Sequence, residues 1–388
     1  MSDAPSSLTG LRLSNRRQIL EVLRHRGTTS RAEIAKQTGL STTTVSTLVG
    51  ELLEESVVVE LGDRRTSATG GGRPARVLAF NPAAGGAVGV HLAHDHVRVG
   101  VTDLAGNVVA QTLSEIDVDH EPTRTLALVG GTALELIAES GLRKDGIVGL
   151  GVAVSAPMPA ASPGPGVGRI LADWHSVDVG AELTRRTGFS VEIGNDANLG
   201  AIAEQRFGAA QGVDDLVYVM LSDGVGAGLI LDGRLYEGAL GGAGEFGHIT
   251  VAPDGYICRC GNRGCLETVV GAKALVSALA LTRGDSTVAD ILLAAAAGDD
   301  GARRVLSDAG TAVGRALVPL CTVLDPALVV IGGAGGSSAV LVEAVQDALV
   351  RGMTPLRGTP VAVRAGALGD QAEMLGAVAL ATQRMNLT

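Results

Sequence analysis

The spacing of apolar residues in the first fifty-five positions predicts three amphipathic helices. Ser30 and Ser41 each stand where a hydroxyl would cap a helix, and Gly39 separates the second helix from the third. The predicted helices cover residues 15–26, 31–38 and 42–54. Because two short helices joined through a glycine turn form a helix-turn-helix, the pattern predicts a DNA-binding head.

Hydroxyl side chains crowd the start of the third predicted helix, where a recognition helix reads base edges. The basic loop that follows joins predicted strands at 57–61 and 75–80 and is typical of a wing. Arg73, between glycine and proline, suits insertion into a narrow minor groove. The alternative is a helical protein-interaction module with a solvated basic loop. The residues predicted to contact double-stranded operator DNA are Arg31, Ser41, Thr42, Thr43, Thr44, Ser46, Thr47, Arg64, Arg65, Arg73 and Arg76.

From residue 87 onward the pattern changes to short apolar runs typical of strands. A meander, a helix and further buried strands occur once before residue 195 and again after residue 215. This duplication predicts an α/β fold of two lobes with a cleft between them. The chain is therefore divided into a flexible N-terminus at 1–13, a winged helix-turn-helix domain at 14–82 and a two-lobed domain at 83–388.

Composition and charge narrow the class of protein. The chain has 388 residues and a net charge of -10, which argues against nucleic acid as the partner of the whole molecule. Residues 1–80 nevertheless carry eleven Lys and Arg against eight Asp and Glu, so the predicted head is basic. No apolar run is long enough to cross a membrane and no leader opens the chain, so we expect a cytoplasmic protein.

Three of the four cysteines and one histidine fall within eighteen residues. His248, Cys258, Cys260 and Cys265 together offer one imidazole and three thiolates, which make a complete tetrahedral shell for Zn²⁺. A closed shell leaves no position for water, so the spacing predicts a structural zinc ion that braces a loop. The alternative is a group of reduced thiols without metal.

The same run, with Gly244-Glu245-Phe246-Gly247-His248 before it and Glu267 after it, resembles the ROK family of repressors, open reading frames and sugar kinases. Residues 195–198, Asn-Asp-Ala-Asn, also match, and the resemblance extends over about residues 14–385. The family's winged-helix transcriptional regulators are the most similar group. The resemblance implies an actin- and hexokinase-like, ribonuclease-H-like pair of lobes behind the DNA-binding head.

In the ROK family a sugar lies in the cleft between the two lobes. Carboxylates and an amide suit a sugar because each hydroxyl both donates and accepts hydrogen bonds. For Asn195 and Asp196 the alternative is a strand-end turn with a helix cap. The positions that match the family's sugar-binding residues are Asn195, Asp196, Glu245, His248 and Glu267. His248 would then bind the metal through one ring nitrogen and a sugar hydroxyl through the other.

The loops that would hold ATP depart from the kinase pattern, although Asp196 matches the kinases' general base. Residues 91–95, His-Leu-Ala-His-Asp, replace an Asp-Gly-Gly-Thr loop, and Asp223 adds negative charge to the second loop. The glycine-rich run at 332–336 is weak evidence for a nucleotide site. The sequence therefore predicts a regulator that represses carbohydrate-metabolism genes, responds to a sugar or sugar phosphate, assembles as a homodimer or homotetramer and has no kinase activity. A sugar kinase with a DNA-binding head and a repressor controlled by a protein partner are the alternatives.

Overall fold

A computed structural model describes residues 8–61, 76–156, 172–174, 176–357 and 359–383. The head consists of α1 (Leu8–Arg26), β1 (Thr28–Ser30), α2 (Arg31–Thr38), α3 (Thr42–Glu54), β2 (Val58–Leu61) and β3 (Val77–Phe80). Ser30 and Ser41 cap α2 and α3 as predicted, because each hydroxyl accepts from a backbone N–H three residues later. Gly39 ends α2 with a φ of 70°, which a residue without a Cβ adopts readily.

The first helix is longer than its apolar spacing predicts. It begins at Leu8, so residues 8–13, which lie in the predicted N-terminal segment 1–13, are helical. Two ion pairs, from Arg12 to Glu51 and from Arg16 to Glu55, tie α1 to α3. Of the two arginines, Arg12 lies in the part of α1 that the apolar spacing did not predict.

A small antiparallel sheet with the order β1-β3-β2 completes the head. The β2–β3 pairing runs from Val58 opposite Phe80 to Leu61 opposite Val77, which is the base of the predicted wing. Residues 62–75, which include Arg64, Arg65 and Arg73, lie outside the described residues. The core of the head also takes in Leu104 and Val148 of the following domain, so the two units share packed apolar surface.

The first lobe is a five-stranded mixed sheet flanked by helices. Its elements are β4 (Gly86–Leu92), β5 (His96–Asp103), β6 (Val108–Glu115), α4 (Pro122–Ser140), β7 (Ile147–Val154), α5 (Val179–Thr187) and β8 (Val191–Asn195). The strand order is β6-β5-β4-β7-β8, with an antiparallel meander on one side and parallel strands on the other.

The second lobe repeats this arrangement. After α6 (Asp196–Phe207) come β9 (Leu216–Leu221), β10 (Val225–Leu231), β11 (Arg234–Leu235), α7 (Glu267–Val270), α8 (Ala272–Arg283), α9 (Val288–Ala296), α10 (Asp300–Leu324), β12 (Leu328–Gly332), α11 (Gly333–Gly336), α12 (Ala339–Arg357), β13 (Ala362–Ala365) and α13 (Ala372–Gln383). The order β11-β10-β9-β12-β13 matches that of the first sheet strand for strand. The prediction of two similar α/β lobes is confirmed.

Helices α6 and α13 pack against each other and against strands of both sheets. Glycines permit this close approach. A Cβ on Gly151 of β7 would lie 1.9 Å from the carbonyl oxygen of Ala377, and one on Gly376 would lie 2.0 Å from that of Leu199. Because α6 starts at Asp196, this packing fixes the end of β8 at the centre of the molecule. No helix in the described part of the chain is long and apolar enough to span a bilayer.

Candidate functional site

One cavity lies where the turns after β4, β7 and β9 meet the segment that follows β11. Buried or half-buried polar side chains from both lobes line it, together with backbone from the β9–β10 turn. All five residues predicted to bind a sugar line this cavity: Asn195, Asp196, Glu245, His248 and Glu267. The fold thus brings together residues that lie up to seventy-two positions apart in the sequence.

Asp196 is the most buried carboxylate of the cavity, with 3% of its surface exposed. Its Oδ2 accepts a 2.6 Å hydrogen bond from Oγ of Ser155, and its Oδ1 accepts from the N–H of Ala197 at 2.7 Å. Burial raises the pKa of Asp196, while the bond from Ser155 lowers it. The Ser155 hydroxyl therefore stabilises the ionised form, in which the carboxylate accepts hydrogen bonds only.

Asn195 is the N-cap of α6. Its Oδ1 accepts from the N–H of Asn198 at 3.0 Å, and its Nδ2 donates to the Ala156 carbonyl oxygen and to Asp196. These bonds match the alternative of a capped strand-end turn. They leave one lone pair on Oδ1 for a ligand, so Asn195 chiefly positions Asp196.

Glu245 and Glu267 bring two further carboxylates to the cavity. Glu245 follows Gly244, whose φ of 90° and close approach to the Ala227 carbonyl oxygen exclude a side chain there. Burial, followed by the charges of Asp196 and Glu267, raises the pKa of Glu245. Oε2 of Glu267 accepts from the N–H of Val225 at 3.4 Å, which anchors α7 to the start of β10.

The four predicted metal ligands converge beside these carboxylates. The ligand atoms of His248, Cys258, Cys260 and Cys265 all lie within 4.8 Å of one another. Sγ of Cys260 is 3.7 Å from Sγ of Cys265, and Sγ of Cys258 is 3.5 Å from Nδ1 of His248. A tetrahedral zinc ion with Zn–S of about 2.3 Å and Zn–N of about 2.0 Å requires edges of about 3.8 and 3.5 Å. The donor set and its spacing therefore fit zinc.

Tight turns hold the thiols in this position. Gly261 and Gly264 adopt φ values of 94° and 68°, and a Cβ on Gly264 would lie 1.6 Å from the carbonyl oxygen of Ala252. Burial raises the pKa of the Cys258 thiol to about 12. A metal cation bound among the thiols would keep the Cys258 sulfur ionised, because metal binding requires the thiolate.

Sequence reasoning missed Arg259, which stands between two of the metal ligands. Its Nη1 lies 2.9 Å from Nε2 of His94 in the first lobe, and its Nε lies 3.4 Å from Oε1 of Glu267. Nδ1 of His94 in turn lies 2.7 Å from Oδ1 of Asp119. A basic residue inside a cysteine run was the available signal, but only the folded chain shows the contact between lobes.

Trp174 and the glycine-rich run at 332–336 are both packed against apolar neighbours. Trp174 is buried in the core of the first lobe, where its indole N–H donates to the Val118 carbonyl oxygen at 2.7 Å. The glycine-rich run after β12 packs on β9, because a Cβ on Gly335 would lie 2.7 Å from that of Leu221. The run itself forms the four-residue helix α11 (Gly333–Gly336).

On the head, the predicted recognition helix presents hydroxyls to solvent. Thr42, Thr43, Ser46 and Thr47 are exposed, whereas the Ser41 hydroxyl is used to cap α3. Arg31 and Arg76 both pair with Glu60 on β2, at 2.9 Å in the case of Arg31. The structure therefore places these two arginines side by side at the base of the wing.

The lobes, the cavity and the head define a two-lobed α/β protein of the actin- and hexokinase-like class, joined to a winged helix-turn-helix. The chain belongs to the ROK family, whose profile matches residues 87–384. A profile of winged helix-turn-helix DNA-binding domains matches residues 12–59.

Individual relatives fall into both branches of the family. The xylose repressor of Bacillus subtilis strain 168 is 30% identical over 321 residues, covering 82% of this chain and 81% of the repressor. A crystal structure of a ROK family transcriptional regulator, a homologue of the E. coli MLC protein, superposes with a TM-score of 0.74 and 26% identity, covering 96% of each chain. A ROK glucokinase from Streptomyces griseus, in complex with glucose and AMPPNP, gives a TM-score of 0.68 and 26% identity, covering 77% of this chain and 100% of the kinase.

Proposed function

We propose that the protein is a sugar-responsive transcriptional repressor of carbohydrate-metabolism genes that has no kinase activity. The observation that carries the proposal is the gathering of Asp196, Glu245, Glu267 and His248 around one cavity, in a chain that also bears a helix-turn-helix. Relatives named as a xylose repressor and a ROK transcriptional regulator support the same function.

The chemistry of the cavity suits a polyhydroxylated ligand. Three carboxylates accept hydrogen bonds from sugar hydroxyls, and Nε2 of His248 faces the cavity side of the metal cluster, 3.8 Å from Oε2 of Glu245. Asn195 and Ser155 hold Asp196 in position. A sugar bound here would contact residues from both lobes and so favour their closed arrangement.

We propose that Zn²⁺ occupies the cluster of His248, Cys258, Cys260 and Cys265 as a structural ion. Supporting this are the sulfur–sulfur and sulfur–nitrogen separations, which equal the edges of a zinc tetrahedron. The bound ion would supply a fixed frame for the loop between Glu245 and Glu267. Their carboxylates would then keep a constant separation, which a flexible loop could not provide.

For DNA, we propose that α3 enters the major groove with Thr42, Thr43, Ser46 and Thr47, and that the wing contributes Arg73. One head reads only a half-site, so the operator-binding form is a homodimer or a homotetramer. Thr43→Ala and Arg73→Ala should each weaken operator binding by about tenfold while leaving sugar binding unchanged. Equal operator affinity in both variants would contradict the assignment of the head.

The alternative function, a sugar kinase, is favoured by one observation. Asp196 lies where a general base would accept a hydroxyl proton, and the glucokinase relative shares the fold. Against it, the place of the phosphate loop is taken by His91, His94 and Asp95, with Asp223 opposite. Negative charge at that position repels phosphate oxygens.

The deciding experiment is operator release. Immobilised operator with bound protein is challenged with pentoses, hexoses, acetylated amino sugars and their phosphates, while a thermal shift assay reports direct binding. We expect one sugar class to stabilise the protein and release it from DNA without phosphate transfer from ATP. Phosphorylation that Asp196→Asn abolishes would establish the kinase, and no response to any sugar would favour control by a protein partner.

A further inference from the structure

A second group of metal-ligating atoms lies in the cleft, apart from the histidine–cysteine cluster. Asp95 stands in the turn between β4 and β5 of the first lobe, His96 is the first residue of β5, and Asp223 stands in the turn between β9 and β10 of the second lobe. One carboxylate oxygen of each aspartate and a ring nitrogen of His96 lie within 4.8 Å of one another. The group therefore draws its ligands from both lobes.

The two carboxyl groups need a positive partner. One carboxylate oxygen of Asp95 lies within 4.8 Å of one of Asp223, and Nδ1 of His96 lies 2.6 Å from Oδ1 of Asp95. Two carboxylates this close cannot both remain ionised unless a proton or a cation lies between them.

A neighbouring buried histidine points to a cation. His91 on β4 is only 7% exposed and lines the same cavity as Asp223. Its Nε2 is buried and has no hydrogen-bond partner among the described residues. Its ring stands edge-on to the ring of His96, with centroids 5.9 Å apart. A buried imidazole nitrogen without a partner, in the cavity that Asp223 also lines, is available to a ligand.

We propose that Asp95, His96 and Asp223 bind a divalent transition-metal ion between the two lobes, with the His91 imidazole beside it. Two carboxylates and imidazole nitrogens suit Mn²⁺, Fe²⁺, Co²⁺ or Zn²⁺, whereas the thiolates of the other cluster select Zn²⁺.

The position of the ion between the two lobes would couple metal binding to closure of the lobes. Because its ligands come from the β4–β5 turn and the β9–β10 turn, it binds the closed arrangement of the lobes more tightly than an open one. Any ligand that also requires closure would then bind more tightly in the presence of the ion, and the effect is reciprocal. This coupling rests on the proposed function, whereas the metal site does not.

Manganese is the probe for the test, because it prefers oxygen and nitrogen ligands to thiolates. Protein carrying Zn²⁺ in the cysteine cluster is titrated with Mn²⁺, and free Mn²⁺ is followed by its electron paramagnetic resonance signal. We expect one Mn²⁺ per chain, and about a hundredfold weaker binding in Asp223→Asn and in Asp95→Asn. Asp117→Asn, which changes an exposed aspartate paired with a histidine in the same lobe, is the matched control.

Each outcome decides the proposal. Wild-type protein that binds no Mn²⁺, Co²⁺ or added Zn²⁺ beyond the cysteine cluster would overturn it, as would undiminished binding in Asp223→Asn. If the two aspartates instead share a proton, Asp223→Asn will raise the melting temperature at neutral pH and added Mn²⁺ will change nothing. Circular dichroism of every variant separates loss of the site from loss of the fold.

Discussion

His248 turns its Nε2 toward Glu245, with 3.8 Å between that nitrogen and Oε2 of the carboxylate. Its other ring nitrogen, Nδ1, lies 3.5 Å from Sγ of Cys258. One imidazole thus joins the thiol cluster to the carboxylate-lined cavity. Binding or loss of a metal ion at the thiol cluster should therefore change the position of the carboxylates in the cavity.

The first prediction concerns Cys260. Cys260→Ser should weaken zinc binding by about a hundredfold or more, because it removes a thiolate ligand outright. We also expect sugar affinity to fall by about tenfold, roughly 1.4 kcal/mol, as the loop between Glu245 and Glu267 loses its frame. Atomic absorption measures the metal, and titration calorimetry measures the sugar.

Cys321 provides the control for this experiment, since it is buried in α10 outside the cluster. Cys321→Ala should keep both the metal content and the sugar affinity of the wild type. If Cys260→Ser lost zinc but bound sugar unchanged, the proposed bracing of the cavity by the metal would be wrong.

A second prediction follows from the 2.6 Å hydrogen bond between Ser155 and Asp196. Burial raises the pKa of Asp196 and the Ser155 hydroxyl lowers it, so Ser155→Ala should raise the pKa further. A sugar that needs the ionised carboxylate as an acceptor is lost as pH falls through this pKa, and in the variant that loss should begin at higher pH. Calorimetry across pH 4.5 to 8 would show the shift, with the exposed Ser190→Ala as the control. If sugar affinity fell over the same pH range in the wild type and in Ser155→Ala, ionised Asp196 would be excluded as a sugar contact.

A third prediction concerns Glu373, which is buried on α13 and accepts a 3.0 Å hydrogen bond from the Tyr218 hydroxyl. Burial raises the pKa of Glu373 from 4.5 to about 7. The folded state therefore holds a proton that the unfolded state releases, and stability should fall as pH rises between these values, by about 3 kcal/mol. Above pH 7 the cost levels off. Glu373→Gln should remove this pH dependence and be the more stable protein at pH 8.

Urea unfolding at pH 5 and pH 8 measures the effect. Glu343→Gln changes an exposed glutamate on α12 and should leave the pH dependence as it is in the wild type. If Glu373→Gln were less stable than wild type at pH 8, the ionised carboxylate would have to be stabilised by contacts that outweigh its burial.

Local patterns predicted much of the fold. The helices at Arg31–Thr38 and Thr42–Glu54 have the predicted bounds, because apolar spacing and caps determine them within the segment itself. The start of α1 could not be predicted this way. The added turns include Arg12, whose ion-pair partner Glu51 lies thirty-nine residues away in the sequence.

The residues that line the cavity were partly predictable from the sequence. The residues matching the family motif fall at strand ends and around the cysteine run, and the fold does gather them. The contact of Arg259 with His94, and that of Asp95 with Asp223, join opposite lobes across more than a hundred residues. Pairings of this kind depend on how the two sheets are placed, which no local period encodes.

The last prediction concerns Glu60, which holds both Arg31 and Arg76 at the base of the wing. Glu60→Gln should release two arginines for phosphate contacts, so DNA binding should tighten at low salt by about tenfold and its salt dependence should steepen by about two units of slope. Fluorescence anisotropy with operator and with unrelated duplex across a salt series gives both quantities. Glu54→Gln removes the same charge from the exposed end of α3 and separates the release of the arginines from the change in net charge. Because phosphate contacts carry no sequence information, operator and unrelated DNA should gain equally. Weaker operator binding in Glu60→Gln would instead mean that Glu60 orients the two arginines for the operator.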